Sequence, residues 1–271
     1  MIVLAVDIGN TNVKLGLFDA DRLLKSWRVE TRAQQTDDDV AVLVSNLLAL
    51  DGRDPADIGA AAIVSVVPPL TGSFEAFARR RLGVMPLMAD ATTLAPLMQM
   101  ALDRPGDVGP DRLVNAFAAH AIHGGPAIVL DAGTATTFDA LAADGTFLGG
   151  AIAPGPRAAL DALAASTARL PRVELRRPPH AIGRSTAAAM QSGAVNGYIG
   201  LVSGLLTAIR AELLEQSPAS SRVTVVATGG HARDTWLADI PGIDTVEPDL
   251  TLIGLNMAFA TLGRRTAEPA R

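Results

Sequence analysis

A mixed α/β fold made by internal duplication is what this sequence predicts, and three observations predict it. Short β-rich runs alternate with helical stretches along the chain. Residues 2–6 lead into Asp7-Ile8-Gly9-Asn10-Thr11, and residues 127–130 lead into Asp131-Ala132-Gly133-Thr134-Ala135. Each of these Asp-x-Gly turns is followed by a hairpin pattern and then by helices, so the same order runs twice.

The elements follow in order. Residues 2–6 are an apolar, β-rich run, and residues 13–18 alternate apolar with small or polar side chains, as a strand does. Asp19-Ala20-Asp21 supplies turn chemistry, and residues 23–30 read as the returning strand. A helix is expected over 38–50, capped by Thr36 or Asp37. Residues 61–67 form a buried-type strand that Pro68-Pro69 ends; a helix over 71–82 and a short strand over 84–88 follow. Residues 91–107 read as loop. Pro110 suits the first turn of a helix running to about His123.

The second half repeats this. Strands are expected over 127–130, 136–142 and 146–153, with Ala143-Asp144-Gly145 as the turn between the last two. A helix over 156–165, a proline- and arginine-rich loop over 170–181 and a long helix over 185–214 come next. A strand over 222–227 ends in Thr228-Gly229-Gly230, and a helix over 252–262 closes the chain. The expected division is 1–109 and 110–271.

Composition excludes several classes of function. With 271 residues, the chain is long enough for one large or two small domains that need no staple. At 49% hydrophobic and 19% charged it is too apolar for a disordered protein. It has no cysteine, which removes disulfides, thiolate metal sites and thiol nucleophiles together. The net charge is −5, and no basic block tracks a phosphate backbone, so no nucleic-acid partner is expected. The stretch 59–70, read as the longest apolar one, is broken by Ser65, Pro68 and Pro69, so no membrane partner is expected and the cytoplasm is the default location.

Familiar motifs are missing as well. Neither lysine follows a glycine, so there is no P-loop, and neither Gly-x-Gly-x-x-Gly nor His-Glu-x-x-His occurs. His120 and His123 lie three apart on one helix, read mainly as a solvated helix end and otherwise as metal ligands.

Three places carry chemistry. At Asp7-Ile8-Gly9-Asn10-Thr11 a strand delivers a carboxylate to its end, and Gly9 lets the backbone turn tightly. Asn10, Thr11 and Asn12 offer donors for phosphate oxygens, and Asp7 suits a hydrated Mg²⁺ that bridges phosphates. The plain alternative is an Asx turn in a hairpin. The hydroxyl-rich repeat from Asp131 to Thr137 favours a shared nucleotide site, two turns gripping one polyphosphate. At Gly109-Pro110-Asp111-Arg112, an acid at a helix start is kept ionised by the helix dipole, and Arg112 offers a fork for a carboxylate or phosphate. Its alternative is a capping Asp beside a surface Arg. The glycines of 149–155 and of Thr228-Gly229-Gly230 would let backbone lie close to an adenine or ribose.

Taken in this order, these motifs resemble the type III pantothenate kinase family, of the acetate and sugar kinase, heat-shock-protein and actin superfamily. The resemblance covers nearly the whole chain: Asp7-Ile8-Gly9-Asn10-Thr11-Asn12-Val13-Lys14 as a first phosphate motif, the Gly-x-Asp-Arg segment, the second phosphate motif at 131–137, and Gly183-Arg184-Ser185-Thr186. It implies duplicated ribonuclease H-like (actin-like ATPase) domains and ATP-dependent phosphorylation of pantothenate. It further implies Asp111 as the general base, and Gly109, Pro110, Asp111, Arg112 and Thr186 as pantothenate contacts. The eight residues Asp7 to Lys14, with Thr134, would contact ATP, and Asp131 would bind a monovalent cation, potassium or ammonium. A homodimer is implied too. Two departures stand out: Pro110 replaces a frequent alanine, and Leu102 replaces a frequent tyrosine of the pantothenate pocket. Rival readings are a non-catalytic regulator like the Bvg accessory factors, or a superfamily kinase for another small alcohol.

Gly193, Gly197, Gly200 and Gly204 fall on one face of the long helix. In a helix interior each costs about 1 kcal/mol relative to alanine, so the stripe should serve close packing. The partner is either the protein's own sheet or helices, or a second copy of the chain.

Overall fold

The computed structural model describes residues 1–167 and 169–267. Two compact units result: Met1–Ala118 with the chain from Asp249 on, and Ala119–Pro248.

The first unit carries the sheet β3-β2-β1-β4-β5, from β1 (Ile2–Ile8), β2 (Asn12–Asp19), β3 (Arg22–Glu30), β4 (Ile58–Ser65) and β5 (Leu87–Ala89). β1 pairs antiparallel with β2 and parallel with β4. Val3, Leu4, Ala5 and Val6 are all buried, the near-continuous apolar run of a strand covered on both faces. Helices α1 (Asp37–Leu50) and α2 (Pro68–Arg80) bring Val44, Leu48, Phe74 and Phe77 into that core. Thr36 caps α1 in a full capping box with Asp39, a device worth about 1 kcal/mol. Pro68 and Pro69 open α2 instead of preceding it, since a helix's first turn needs no amide from them. The expected loop at 91–107 contains a one-turn helix, α3 (Ala91–Leu94), whose N-cap Asp90 accepts from Thr93 N.

α4 (Pro110–His123) runs as the sequence predicts. The sequence reading cut the chain before it and gave the closing helix to the second half. In the structure the division falls inside α4, and α8 (Leu250–Ala267) belongs with the first unit. Burial explains it: Leu250, Leu252, Leu255 and Ala258 are fully buried, and Asn256 Nδ2 donates to the Ala20 carbonyl at 2.8 Å.

The second unit repeats the topology. Its sheet is β8-β7-β6-β9-β10, from β6 (Ala127–Ala132), β7 (Ala135–Leu141), β8 (Phe147–Pro154), β9 (Thr224–Thr228) and β10 (Thr245–Val246). β6 again pairs antiparallel with the following strand and parallel with the later one, as β1 does. The duplication read from the sequence is therefore a duplication of sheet order and strand direction. α5 (Pro156–Ala165), α6 (Thr186–Gln216) and α7 (Thr235–Ala238) complete it.

α6 corrects the reading of 59–70 as the longest apolar stretch. It is long and apolar enough by composition to cross a bilayer. Here its Val195, Tyr198, Val202, Leu206 and Leu213 join Leu130, Phe138, Val225 and Trp236 in the second core. The glycine stripe lies elsewhere on the helix. Among the described residues, a Cβ built on Gly193, Gly197, Gly200 or Gly204 meets nothing within 4 Å.

Candidate active site

β1 delivers Asp7 to its carboxyl end, where the cross-strand neighbour is Lys14 on β2. The turn closes through Gly9 N–H donating to Asn12 O at 3.1 Å, and Thr31 Oγ1 donates to Gly9 O at 2.6 Å. Asn10 and Thr11 are exposed, whereas Ile8 and Val13 turn fully into the first core. Those two can offer a ligand only their main chain.

The Gly109-Pro110-Asp111-Arg112 segment lies at the same end of this sheet. Val66 N donates to Ile8 O at 3.0 Å, and the Val66 side chain lies 3.9 Å from where a Gly109 Cβ would stand. That Cβ would also come within 2.5 Å of Asp111 Oδ1, so only glycine leaves the carboxylate its place. Asp111 Oδ1 accepts the Arg112 amide at 2.9 Å in the first turn of α4. The carboxylate therefore does serve the helix start, as the capping alternative held. Burial pushes the Asp111 carboxyl above the ordinary carboxylate range, against the pull of the Arg112 amide and guanidinium. Desolvation is the largest of these influences on the carboxyl. Leu102 is half-buried.

In the second unit Asp131 sits between two hydroxyl residues, with Thr137 opposite on β7 and Thr228 on β9. A Cβ on Gly229 would stand 2.3 Å from Asp131 Oδ1, and one on Gly133 at 3.3 Å. Gly229 also has φ +101°, open to glycine at little cost. Two glycines thus form a cradle around the carboxylate. The Thr228 hydroxyl is fully buried and has no hydrogen-bond partner among the described residues, an arrangement that is costly without a ligand or water. A carboxylate, a free hydroxyl and a glycine cradle fit a small hard cation. Among the described residues no group of three or more acidic or histidine side chains could hold a metal ion.

Thr134 is exposed at the turn tip. Gly133 N donates to Ala135 O at 3.0 Å, and Gly155 N to Thr134 O at 3.1 Å. Two of the glycines of 149–155 make room for the chain itself. A Cβ on Gly155 would meet Gly133 O at 2.2 Å, and one on Gly150 would meet the Phe138 carbonyl. Thr186 is exposed in the first turn of α6, which Ser185 caps by accepting Ala188 N at 3.2 Å. His120 is half-buried against Gly145, not a solvated helix end.

Several residues here escaped the sequence reading. Asp139 is fully buried on β7 and accepts from Thr137 Oγ1 at 3.3 Å. Tyr198, the single tyrosine of the chain, lies within the glycine stripe's turns, and that coincidence was its only signal. Thr228 was quoted for the glycines that follow it, not for its hydroxyl.

Comparison with known proteins bears on this arrangement. A family model described as type III pantothenate kinase matches residues 3–208. The chain is 47% identical over 258 residues to the type III pantothenate kinase of Roseiflexus sp. (strain RS-1), covering 95% of this chain and 98% of that one. It is 42% identical over 270 residues to that of Paramagnetospirillum magneticum, with both chains covered in full. Among solved structures, a conserved putative Baf family transcriptional activator from Campylobacter jejuni matches with TM-score 0.57 at 18% identity, over 96% of this chain and 99% of that one. The activator of 2-hydroxyisocaproyl-CoA dehydratase from Clostridium difficile, with bound ADPNP, matches with TM-score 0.52 at 15% identity, over 100% and 99%. These last two share the fold, the duplicated actin-like ATPase architecture of two mixed sheets flanked by helices.

Proposed function

The chain belongs to the type III pantothenate kinase family and phosphorylates pantothenate in coenzyme A biosynthesis, and we propose that Asp111 is the base of that reaction. ATP is the phosphoryl donor, and a divalent cation such as Mg²⁺ accompanies it. The pantothenate hydroxyl gives its proton to an Asp111 carboxylate oxygen as its own oxygen bonds to the γ-phosphorus. The bond from that phosphorus to the bridging oxygen breaks, and ADP leaves. Such transfer depends mainly on positioning and charge neutralisation. A carboxylate whose pKa burial raises is a stronger base than an exposed one.

The observation that carries this reading is the Asp111 carboxylate itself: half-buried, held by the Arg112 amide, and given room by Gly109. Arg112 supplies a guanidinium for the pantothenate carboxylate. Gly109, Pro110 and Thr186 are further proposed contacts, with Leu102 an apolar wall where relatives of this type often carry a hydroxyl. Residues 7–14 and Thr134 are proposed to take ATP, through side chains at Asn10, Thr11 and Lys14 and main chain at Ile8 and Val13. A monovalent cation at Asp131 would add positive charge beside the nucleotide turn. The cytoplasm, where ATP is made, is the proposed location. The test is ADP release over a panel of pantothenate, sugars and acetate. Release with pantothenate alone is expected; release with a sugar or acetate instead would overturn the reading.

We propose also that the open glycine face of α6 seats a second copy of the chain. Four positions with nothing within 4 Å, at a cost of about 1 kcal/mol each relative to alanine, support it. Gly197→Leu should fold, because a side chain there meets open space, yet sediment as a monomer. A variant that remains dimeric would contradict it.

A further inference from the structure

Tyr198 is 5% exposed, and its hydroxyl lies 3.0 Å from Thr136 Oγ1, itself fully buried. Thr136 pairs with Ala132 across the mouth of the β6–β7 hairpin, the last paired position before Gly133-Thr134-Ala135. The Tyr198 ring stands edge-on to Trp236, with centroids 5.6 Å apart. Trp236 in turn lies 5.9 Å from the His231 ring. His231 Nδ1 is 2.7 Å from Asp234 Oδ2, and its amide donates to Ala132 O at 2.9 Å. These contacts close a ring: Ala132, Thr136, Tyr198, Trp236, His231 and back to Ala132. The ring encircles the base of the turn that carries Thr134, and α6 enters it through one residue.

We propose that Tyr198 is a positioning residue for the second phosphate turn, fixing its mouth to α6 so that Thr134 meets the nucleotide in one geometry. The proposal rests on the reading of that turn as nucleotide-binding. The phenol suits the task because it stays protonated. Burial and the nearby Asp131 charge push its ionisation up to about 12, so the bond to Thr136 persists over the working pH range. Its place between Gly197 and Gly200 sets the tether in the same helical turns as the open glycine face.

The test uses the full chain and the non-hydrolysable ATP analogue AMP-PNP, with binding measured by calorimetry. Tyr198→Phe keeps the ring against Trp236 and removes only the hydroxyl. It should weaken AMP-PNP binding about two- to tenfold, the net effect of one hydrogen bond. The KM for ATP should rise in step while the KM for pantothenate stays. Thr136→Val, which removes the other partner, should do the same, and the double variant should lose less than the product of the two. Because the chain has one tyrosine, a 3-fluorotyrosine label gives a single ¹⁹F resonance, which AMP-PNP should shift in the parent protein and not in Thr136→Val. Unchanged AMP-PNP affinity in both variants, with the parent binding normally, overturns the proposal alone. A lowered melting temperature with unchanged affinity does so too, since that marks a merely structural bond. Failure of the parent to bind AMP-PNP overturns the nucleotide reading and the proposal with it.

Discussion

The two Asp-x-Gly turns share a strand topology and differ in what surrounds the carboxylate. Asp7 has Lys14 across the strand pair; Asp131 has Thr137 on one side and the partnerless hydroxyl of Thr228 on the other. The first turn closes from Gly9 to Asn12, the second from Gly133 to Ala135, one residue tighter. On the proposed reading, the turn with a lysine opposite its aspartate in the strand register takes phosphate. On the same reading, the turn whose aspartate has threonines opposite it on both neighbouring strands takes a cation. Duplication set the frame, and on this reading the side chains either side of each aspartate divide the labour.

The largest effect should come from the carboxylate that neither turn duplicates. Asp111→Asn keeps the size and loses the basicity, so kcat should fall about 100- to 10,000-fold in steady-state assays of pantothenate phosphorylation. Near-normal turnover would move the base elsewhere, and the two turns would return to the field as candidates.

Next in size is a direct contrast between the turns. Gly229→Ala drives a methyl into the Asp131 carboxylate and strains a residue at φ +101°, and such strain costs about 1–3 kcal/mol. Gly9→Ala meets only the Asn12 carbonyl at 3.0 Å and should cost less, about 1 kcal/mol. Chemical denaturation of both variants measures the difference. Equal losses would mean that the cradle around Asp131 is not tight.

A smaller effect concerns pH. The Asp111 pKa is higher folded than unfolded, so the native state binds more protons between those two values. Stability from this group is therefore lost as pH rises through that window, which begins near the ordinary carboxylate value of about 4. Asp111→Asn removes the loss. Its melting temperature should match the parent's at the acid end and exceed it at neutral pH. A variant less stable than the parent at neutral pH would mean that the carboxylate contributes more through Arg112 than burial takes away.

Much of this was legible in the sequence because turns and caps are local. Asp7-Ile8-Gly9 and Asp131-Ala132-Gly133 announced the duplication, and Pro110 placed the start of α4. What was missed is what only tertiary structure sets. The closing helix returns to the first unit because Leu250, Leu252 and Leu255 are buried there, a fact that periodicity alone does not hold. The direction of the Asp111 shift depended on desolvation, which a motif does not display. Gly150 and Gly155 make room for Phe138 and for Gly133 and Thr134, contacts that sequence does not show, since it tells that a side chain is missing but not what fills its place.

The division of labour between the turns is tested most directly by the ion dependence of Asp7→Asn and Asp131→Asn. Pantothenate phosphorylation by each is measured in potassium and in sodium at constant ionic strength, beside the parent. The account predicts that the parent and Asp7→Asn are faster in potassium, the latter with a raised KM for ATP, and that Asp131→Asn no longer distinguishes the two ions. A parent equally active in both, or an Asp131→Asn variant that still prefers potassium, would contradict it.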